Sequence, residues 1–493
     1  MTDAHHLSQA SLRPADTLSA MADALPDAPG TPGANTGSLI GNVNIVMLTY
    51  AADGALALAT GALVARALGP DGRGAYGLFV VSAALGQLLL GLGVGNAAIY
   101  YLNKGQLGVR DALSAMHVVT LAAAAVTAIV VAALMPVSFT LDIASWDATV
   151  SLRGIVSGGI SPWLLIAAVP LLLYMNLLRL LLQAQNRFID LGVATVGQQA
   201  ALLALVAVAF ATGDPSPARI VVYLLIASAA AAVYALLRIG VANIDLAQIV
   251  RPRIETLRRL AGFGVQGEAG NVLQALNYRL DQYILRGFES LAAVGIYAVA
   301  ASMTESIFIL ANAVALVLMP RLTSADPDDA AWMAPVAARN TMLIAAGGAI
   351  ALAISAPLLL PAVFGDAFDG AVRPLWWLLP GTVALTGSKV LTSYIFSQGR
   401  PSVNTMITLA SLVVTLVADI ALIPAFGASG AAAASSLAYT VHFCAALYAY
   451  RRISGRPALD AVLPRPADAR LYADALRSMR ERLSRHAAAE AGG

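Results

Sequence analysis

The sequence has little charge and few residues that commonly carry enzymatic chemistry. Asp, Glu, Lys and Arg make up 12% of its 493 residues, against about 25% in soluble domains. Cys444 is the single cysteine, so an intrachain disulfide cannot form. The five histidines lack metal-ligand spacing, and no phosphate-binding P-loop motif occurs. These absences argue against a soluble enzyme, a disulfide-stabilised domain, a metal centre and ATP hydrolysis at a P-loop.

Long apolar runs are abundant instead. Hydrophobic residues make up 59% of the chain, and runs such as "LAAAAVTAIVVAALM" (121–135) recur without the period-two alternation of a membrane barrel. Each helical crossing of a bilayer needs about 20 mostly apolar residues. The predicted fold class is therefore an all-α integral membrane protein.

Turn-forming segments such as "GPDGRG", "GDPSP" and "FGASG" separate about twelve candidate membrane helices. The candidates are 39–67, 75–102, 111–135, 161–185, 191–212, 218–240, 262–287, 293–320, 337–362, 374–398, 402–425 and 428–450. With the N-terminus inside, fourteen basic residues flank the cytoplasmic side and six the other side. This excess predicts that both termini are cytoplasmic.

Two short similarities indicate an internal repeat. "GAYGLF" (74–79) and "GIYAVA" (295–300) are offset by 221 residues, and "QNR" (185–187) and "QGR" (398–400) by 213. Two six-helix lobes with the same orientation around a central cavity would produce such offsets. The predicted domains are a disordered cytoplasmic tail (1–38), an N-lobe (39–240), a cytoplasmic linker (241–261), a C-lobe (262–452) and an amphipathic cytoplasmic tail (453–493).

Polar residues and glycines lie along one face of helix one and of helix seven, which are equivalent under the predicted repeat. In helix seven these positions are Gly267, Gly270, Gln274, Asn277 and Asp281; in helix one they are Asn42, Thr49, Asp53 and Thr60. Their spacing of three, four or seven residues places each set on one helix face. We expect both faces to line a central cleft between the lobes.

Ionisable residues at membrane depth are costly, by about 2.5–3.5 kcal/mol at a helix centre, and usually face a bundle interior or water. We predict ion-coupling roles for four acids, Asp53, Glu268, Asp281 and Glu305, with a proton or sodium ion as the coupling ion. For individual Ser, Thr and Asn residues, hydrogen bonding between helices is the simpler interpretation.

Basic residues within the membrane are few. Arg279 lies roughly opposite Asp281 on the helical wheel. It could extend to the interface or, like Arg179 and Lys389, hold a phosphate. The predicted substrate-binding residues are Arg279, Asp281, Asn277, Gln274, Lys389, Arg179 and Asn42.

Three segments resemble bacterial polysaccharide transporters, the Wzx-type oligosaccharide flippases. They are "ALVARALGPDGRGAYGLF" (62–79), "YRLDQYILRGFESLAAVGIYAVAASMTE" (278–305) and "GRPSVNTMITLASLVVTLVADIALIPAFGASGAAAASSLAY" (399–439). The similarity spans most of residues 39–452. It implies a two-lobed bundle of the superfamily shared with multidrug exporters and the lipid-linked peptidoglycan precursor flippase.

The resemblance also implies a cargo and a location. The cargo would be an oligosaccharide on a polyprenyl diphosphate, turned from the inner to the outer leaflet of the bacterial cytoplasmic membrane by alternating access. Its partners would be membrane lipids and the polysaccharide polymerase and export machinery, for instance of O-antigen or exopolysaccharide synthesis. Neither a cofactor nor a nucleic-acid partner is predicted.

Rival functions stay open at this point. A cation-coupled exporter of small drugs would share the fold. A peptidoglycan-precursor flippase resembles a fourteen-helix version, whereas here the polar tail follows twelve helices. A membrane enzyme such as a glycan polymerase would need a large outside loop, and the longest outside connection, around 136–160, is short. A structural scaffold would not need the intramembrane acids, so we predict a transporter without enzymatic activity.

Overall fold

The computed structural model describes residues 36–134, 138–143, 146–240, 253–465 and 468. Within them the helices are α1 (Thr36–Gly91), α2 (Val94–Asn103), α3 (Val109–Leu134), α4 (Leu152–Ser157), α5 (Trp163–Ala184), α6 (Phe188–Ala211), α7 (Pro217–Ile239), α8 (Ile254–Phe288), α9 (Leu291–Glu305), α10 (Phe308–Ser324), α11 (Pro327–Phe364), α12 (Val372–Ser397) and α13 (Pro401–Ser454). Two 3₁₀ turns, Asp366–Ala371 and Ala458–Ala461, follow α11 and α13. Residues Ile40–Ala461 form one compact unit.

The chain is a multi-pass membrane protein, as predicted. Seven of the described helices are long and apolar enough to cross a membrane. The helical fold class is confirmed, with one addition in the longest predicted outside connection. There β1 (Ser138–Ile143) and β2 (Trp146–Ser151) form an antiparallel hairpin in which Ser138 lies opposite Ser151.

Two long helices span pairs of predicted ones, although the predicted helix 75–102 is divided between the end of α1 and α2 (Val94–Asn103). The backbone leaves helical geometry at Gly69 (φ 64°) in α1 and at Gly427 (φ 55°) in α13. Glycine tolerates this positive φ, and Pro70 lacks the amide hydrogen that would continue the ladder across the first break. Each break falls between two predicted helices. The count of twelve crossings and the two-lobe arrangement themselves stay predictions.

Some boundaries differ from the sequence prediction. Helix α8 begins at Ile254, so the end of the predicted linker is helical. The predicted eighth helix consists of α9 and α10, which are separated after Glu305. Two segments lie outside the described residues. They are residues 241–252 and, except for Asp468, the predicted amphipathic helix at 466–488.

Side-chain hydrogen bonds to the backbone accompany the interruption after Glu305. The hydroxyls of Ser302, Thr304 and Ser306 each donate to the carbonyl three residues earlier. Ser and Thr bonded in this way compete with the backbone ladder and bend helices. The run "SMTES" therefore accounts for a break at a point where no proline or glycine occurs.

The two predicted halves, residues 39–240 and 262–452, meet in a reciprocal contact at one end of the bundle. A Cβ atom added to Gly74 would collide with the carbonyl oxygen of Leu291, and one added to Gly295 would collide with that of Pro70. Gly74 and Gly295 are separated by the repeat offset of 221, as are Pro70 and Leu291. This exchange of equivalent contacts is typical of a pseudo-twofold interface and supports the predicted repeat.

Arg66 joins the halves at the same end. Its Nε donates to the carbonyl of Val363 at 2.9 Å, and its guanidinium also contacts the carbonyl of Ala362. These carbonyls belong to the last turn of α11, where helical partners are missing. A cation at this position also interacts favourably with the helix dipole.

Several of the predicted outside connections meet at this end. Gly158 packs on Ala75, Gly72 lies near Pro217, and Gly427 lies near Glu289. We refer to it as the Gly74 end. Along the chain, these outside connections alternate with the connections assigned to the cytoplasmic side. Their meeting at one end therefore agrees with the predicted order of crossings.

Substituting Gly74 or Gly295 with alanine should destabilise the contact at the Gly74 end. Each added methyl meets backbone atoms, which cannot rotate away, and overpacking of this kind costs about 1–3 kcal/mol. We expect a lower melting temperature for purified G74A and G295A. Gly348→Ala is the matched control, since a methyl added there would meet no described atom within 4 Å. Equal melting temperatures for all three variants would contradict the close contact.

Candidate functional site

A cavity of about 300 Å³ lies between the two halves. Its walls come from α1, α2 and α5 of the first half and from α8 of the second. Most lining residues are apolar, but the first half contributes the amides of Gln87, Asn96 and Asn176. Helix α8 contributes Glu268 and Arg279. One wall thus carries uncharged hydrogen-bonding groups and the facing wall carries charges.

The face of α8 that borders this cavity is opposite to the one expected. Glu268, Ala275 and Arg279 line it, spaced seven and four residues apart. Asn277 and Asp281 are buried and hydrogen-bonded to α13 or α9. The wheel correctly separated Arg279 from Asp281. However, the expectation that the Asp281 face lines the central cleft is wrong, because those polar groups find partners inside the second half.

Arg279 forms a two-pronged ion pair with Glu305. The distances from its terminal nitrogens to the two carboxylate oxygens are 2.7 and 3.1 Å. The Arg279 and Glu305 side chains are 34% and 35% exposed, so the pair is accessible. Glu305 is the last residue of α9, at the interruption described above. The pair therefore joins the cavity-lining helix α8 to the broken eighth helix.

Lys389 of α12 lies in the same region. Its Nζ donates to Oδ1 of Asn312 at 2.9 Å and lies 4.7 Å from the centre of the Phe308 ring. It is 5.7 Å from the ring of Tyr278, the neighbour of Arg279. Cation–π contacts of this kind stabilise a lysine away from bulk water. Arg279 and Lys389 thus flank the break in the eighth helix with two positive charges.

Asp281 lies in a buried polar cluster of the second half. Its carboxylate accepts hydrogen bonds from the Ser435 hydroxyl at 3.0 Å, from the backbone N–H of Gln282 at 2.7 Å and from the Tyr297 hydroxyl. The side chain is 1% exposed. These donors satisfy a charge that would otherwise be costly at this depth.

The cluster continues along α13. Asn277 donates to Ser411 at 3.1 Å and accepts from Thr415 at 2.7 Å. One turn further, Asp419 is completely buried, and both of its carboxylate oxygens lack a hydrogen-bond partner among the described residues. A buried carboxylate without a hydrogen-bond partner is unusual, because an unpaired charge in the interior is costly.

The first half has a corresponding polar interior. Arg179 of α5 contacts Gln198 of α6, which donates to Ser228 of α7 at 2.8 Å. Asp53 of α1 is half-buried and interacts electrostatically with Arg179. Thr60 accepts from Gln199 at 3.2 Å. Like α8 in the second half, α1 therefore turns part of its polar face toward the interior of its own half.

The structure thus divides the predicted site residues into groups. Glu268 and Arg279 border the cavity, with Glu305 and Lys389 adjacent. Asn277 and Asp281 lie inside the second half, and Asp53 and Arg179 interact electrostatically in the first. Gln274 is half-buried on α8, where its Nε2 has no partner in the described part of the chain, and the Asn42 side chain lies outside the described ones. Their functional roles stay predictions.

The aromatic surroundings of the charges were not predicted. Tyr278 stacks on Phe308 and meets Tyr439 edge-on, which places Lys389 against an aromatic wall. The sequence analysis also assigned no role to Arg73, because "GPDGRG" predicts only a turn between two helices. It is half-buried beside the Tyr76 ring, and its Nε finds no hydrogen-bond acceptor within the described ranges. Its place between two glycines at the helix junction was the available signal.

Three solved structures share this architecture. One is a multidrug resistance MATE family transporter of the MOP superfamily in an inward-facing conformation, with a TM-score of 0.63 and 14% identity over 82% of this chain and 95% of that one. Another is the lipid II flippase MurJ in an inward closed conformation, with a TM-score of 0.65 and 12% identity over 83% of this chain and 89% of that one. A further one is the D35N mutant of the Vibrio cholerae MATE transporter VcmN, with a TM-score of 0.57 and 14% identity over 89% of this chain and 100% of that one. At such identities the likeness shows the fold alone. The fold class is one that these membrane transporters of the MOP superfamily share.

The sequence narrows this class to a family. Residues 39–325, more than half of the chain, match the family described as polysaccharide biosynthesis protein, and the chain belongs to that family. No curated protein matches it. The resemblance to polysaccharide transporters seen in the sequence is confirmed, whereas the cargo remains a separate question.

Removing the buried amide at position 277 should destabilise the second half. Asn277→Leu removes two buried side-chain hydrogen bonds, whereas the Ser411 and Thr415 hydroxyls keep backbone carbonyl acceptors. Each lost hydrogen bond costs about 0.5–1.5 kcal/mol. We expect a clearly lower melting temperature of the purified protein. Asn271→Ala, six residues away on an exposed position, is the control. Similar shifts for both variants would contradict a stabilising role of the cluster.

Proposed function

We propose that this protein is a flippase that moves a polyprenyl-diphosphate-linked oligosaccharide, the repeat unit of a polysaccharide, across the bacterial cytoplasmic membrane. The observation that carries the proposal is the cavity between the halves. There Arg279, which is paired with the adjacent Glu305, faces a wall bearing three amide side chains. Family membership supports the same class of cargo.

The two walls suit the two polar parts of such a lipid. Sugar hydroxyls both donate and accept hydrogen bonds, as do the amides of Gln87, Asn96 and Asn176. The diphosphate needs cations, which Arg279 and Lys389 supply, and guanidinium groups bind phosphate oxygens in pairs. The prenyl chain remains in the bilayer throughout, so the protein has to enclose only the polar head.

Transport requires that the halves move. A cavity of about 300 Å³ is at the lower end of the range for small-ligand sites, so an oligosaccharide needs a wider opening than this conformation has. The Gly74 end, which we assign to the outer side, is closed by the reciprocal glycine contact. Rocking of two parallel repeats about the cavity would open each side in turn.

An ion gradient is proposed to drive the movement. Asp281 and Asp419 lie in the buried cluster of the second half, and Asp419 has no hydrogen-bond partner among the described residues there. A proton on Asp419, or a sodium ion shared with Asp281 and the nearby hydroxyls, would neutralise the site. Oxygen ligands of this kind suit a hard cation.

We further propose that both termini lie in the cytoplasm and that the flipped lipid passes to a polysaccharide polymerase and export machinery. Polymerisation on the outer side would remove the product and favour net transport. The assignment follows from the distribution of basic residues, since cytoplasmic flanks carry the excess.

Deletion of the gene, followed by mass spectrometry of polyprenyl-linked glycans, tests the class of function. We expect a complete repeat unit to accumulate on the inner leaflet. Complementation with Arg279→Gln should restore export poorly, about tenfold or more below wild type, because a charge-assisted phosphate contact is lost. Arg258→Gln is the control, because Arg258 is exposed on the same helix.

Two results would contradict the proposal. One is an unchanged pool of lipid-linked glycan after deletion. The other is altered sensitivity to small drugs without a change in that pool, which would favour the exporter. Membrane levels of each variant, measured by immunoblot, separate a transport defect from misfolding.

The coupling proposal is tested with proteoliposomes that hold a sodium or a proton gradient. Asp419→Asn keeps the size of the side chain but removes its charge, so we expect flipping that no longer depends on either gradient. Asp366→Asn, in an exposed turn, should retain the dependence. Gradient dependence equal to wild type in the Asp419→Asn protein would exclude this carboxylate as the coupling group.

A further inference from the structure

We infer that Glu305 occupies the place of the substrate's diphosphate in the empty transporter, and that the arriving diphosphate displaces it from Arg279. This inference rests on the proposed function and adds a competition within its site. Glu305 then acts as an internal counter-anion that weakens binding and assists release, rather than as a structural partner of Arg279.

The geometry of the pair supports such an exchange. Both carboxylate oxygens of Glu305 meet the two terminal nitrogens of Arg279, which is how a guanidinium also binds two phosphate oxygens. The donors that a diphosphate would use are therefore already aligned by the carboxylate. About one third of each side chain is exposed, so an anion can approach the pair without prior unfolding of the bundle.

The local charge favours a second anion. Within the described residues, the group around the helix break contains the cations Arg279 and Lys389 and the acid Glu305. Asp281 also acts on Arg279 electrostatically, but its carboxylate is hydrogen-bonded inside the buried cluster. Lys389 has an uncharged partner, Asn312, and aromatic rings around it. One carboxylate thus faces two cations. A diphosphate carries at least two negative charges and would neutralise this surplus, which Glu305 alone does not.

The displaced carboxylate has a place to go. Glu305 ends α9, and from there to Phe308 the backbone keeps helical dihedral angles while its hydrogen bonds shift to a three-residue spacing, as from Ile307 to Thr304 at 3.1 Å. The carboxylate would leave Arg279 by rotation about its own side-chain bonds. Lys389 lies beside Phe308 and can receive it. Glu268, the acid that lines the cavity itself, is eleven residues from Arg279, about 16 Å along the helix, and cannot compete for the guanidinium.

The inference predicts opposite effects for the two partners of one ion pair. Loss of Arg279 should weaken binding of a prenyl diphosphate, whereas neutralising Glu305 should strengthen it. If the pair were merely structural, both substitutions would lower stability and neither would tighten binding. The ion pair would then make only a modest contribution to the stability of the protein.

The experiment measures binding of farnesyl diphosphate to the full chain in nanodiscs, with farnesol as the uncharged control. We expect Glu305→Gln to bind about five- to tenfold tighter than wild type, and Arg279→Gln about tenfold or more weaker. In the Arg279→Gln background, Glu305→Gln should give a much smaller gain. Glu305→Asp, which keeps the charge, should bind within about threefold of wild type.

The outcomes separate the two proposals. Unchanged or weaker binding by Glu305→Gln, when wild type binds and both proteins melt normally, overturns the inference and leaves the flippase proposal standing. Equal binding of farnesol and farnesyl diphosphate by every protein overturns the anion site, and the inference falls with it. If Glu305→Gln does not fold, Glu305→Ala and the kinetics of proteoliposome flipping take its place. A lower KM together with a lower maximal rate then supports the inference, and an unchanged KM opposes it.

Discussion

The constraint on which this structure depends is that a polar group within a membrane bundle must find its partner inside the protein. Asp281 satisfies it with three donors, Asn277 with two hydroxyls, and Arg279 with Glu305. These bonds decide which way each helix face turns. Helix α8 carries polar groups on opposite faces, and it is placed so that one face is sealed by α13 while the other borders the cavity.

The same constraint separates a stable interior from a responsive site. The cluster around Asp281 is almost inaccessible, with its donors on packed helices, and suits a small ion better than an oligosaccharide. The Arg279–Glu305 pair is accessible and lies at a break in the eighth helix. A large anionic head and a small cation would therefore act at different places in one half, joined through helix α8.

Symmetry accounts for how the halves meet. The contacts at Gly74 and Gly295 are equivalent under the repeat, and both need a residue without a side chain because backbone lies against backbone. Such a contact contributes little by hydrophobic burial and depends on close fit. Beside the glycine contact, Ala65 and Leu78 of the first half are buried in one apolar cluster with residues of the second half, so separation at this end would also expose apolar surface.

From the sequence alone, hydropathy and breaker residues determined the membrane class and most helix boundaries, because these depend on local composition. Helices α8 and α11 nevertheless begin about eight and ten residues before the predicted starts at 262 and 337. The helical wheel also placed Arg279 opposite Asp281 correctly. Only the tertiary structure decided which of these faces meets the cavity, that Glu305 pairs with Arg279, and that Arg73 lies half-buried at the helix junction. Those facts depend on which helices become neighbours, and a periodic pattern in one helix carries no information about the partner it will face.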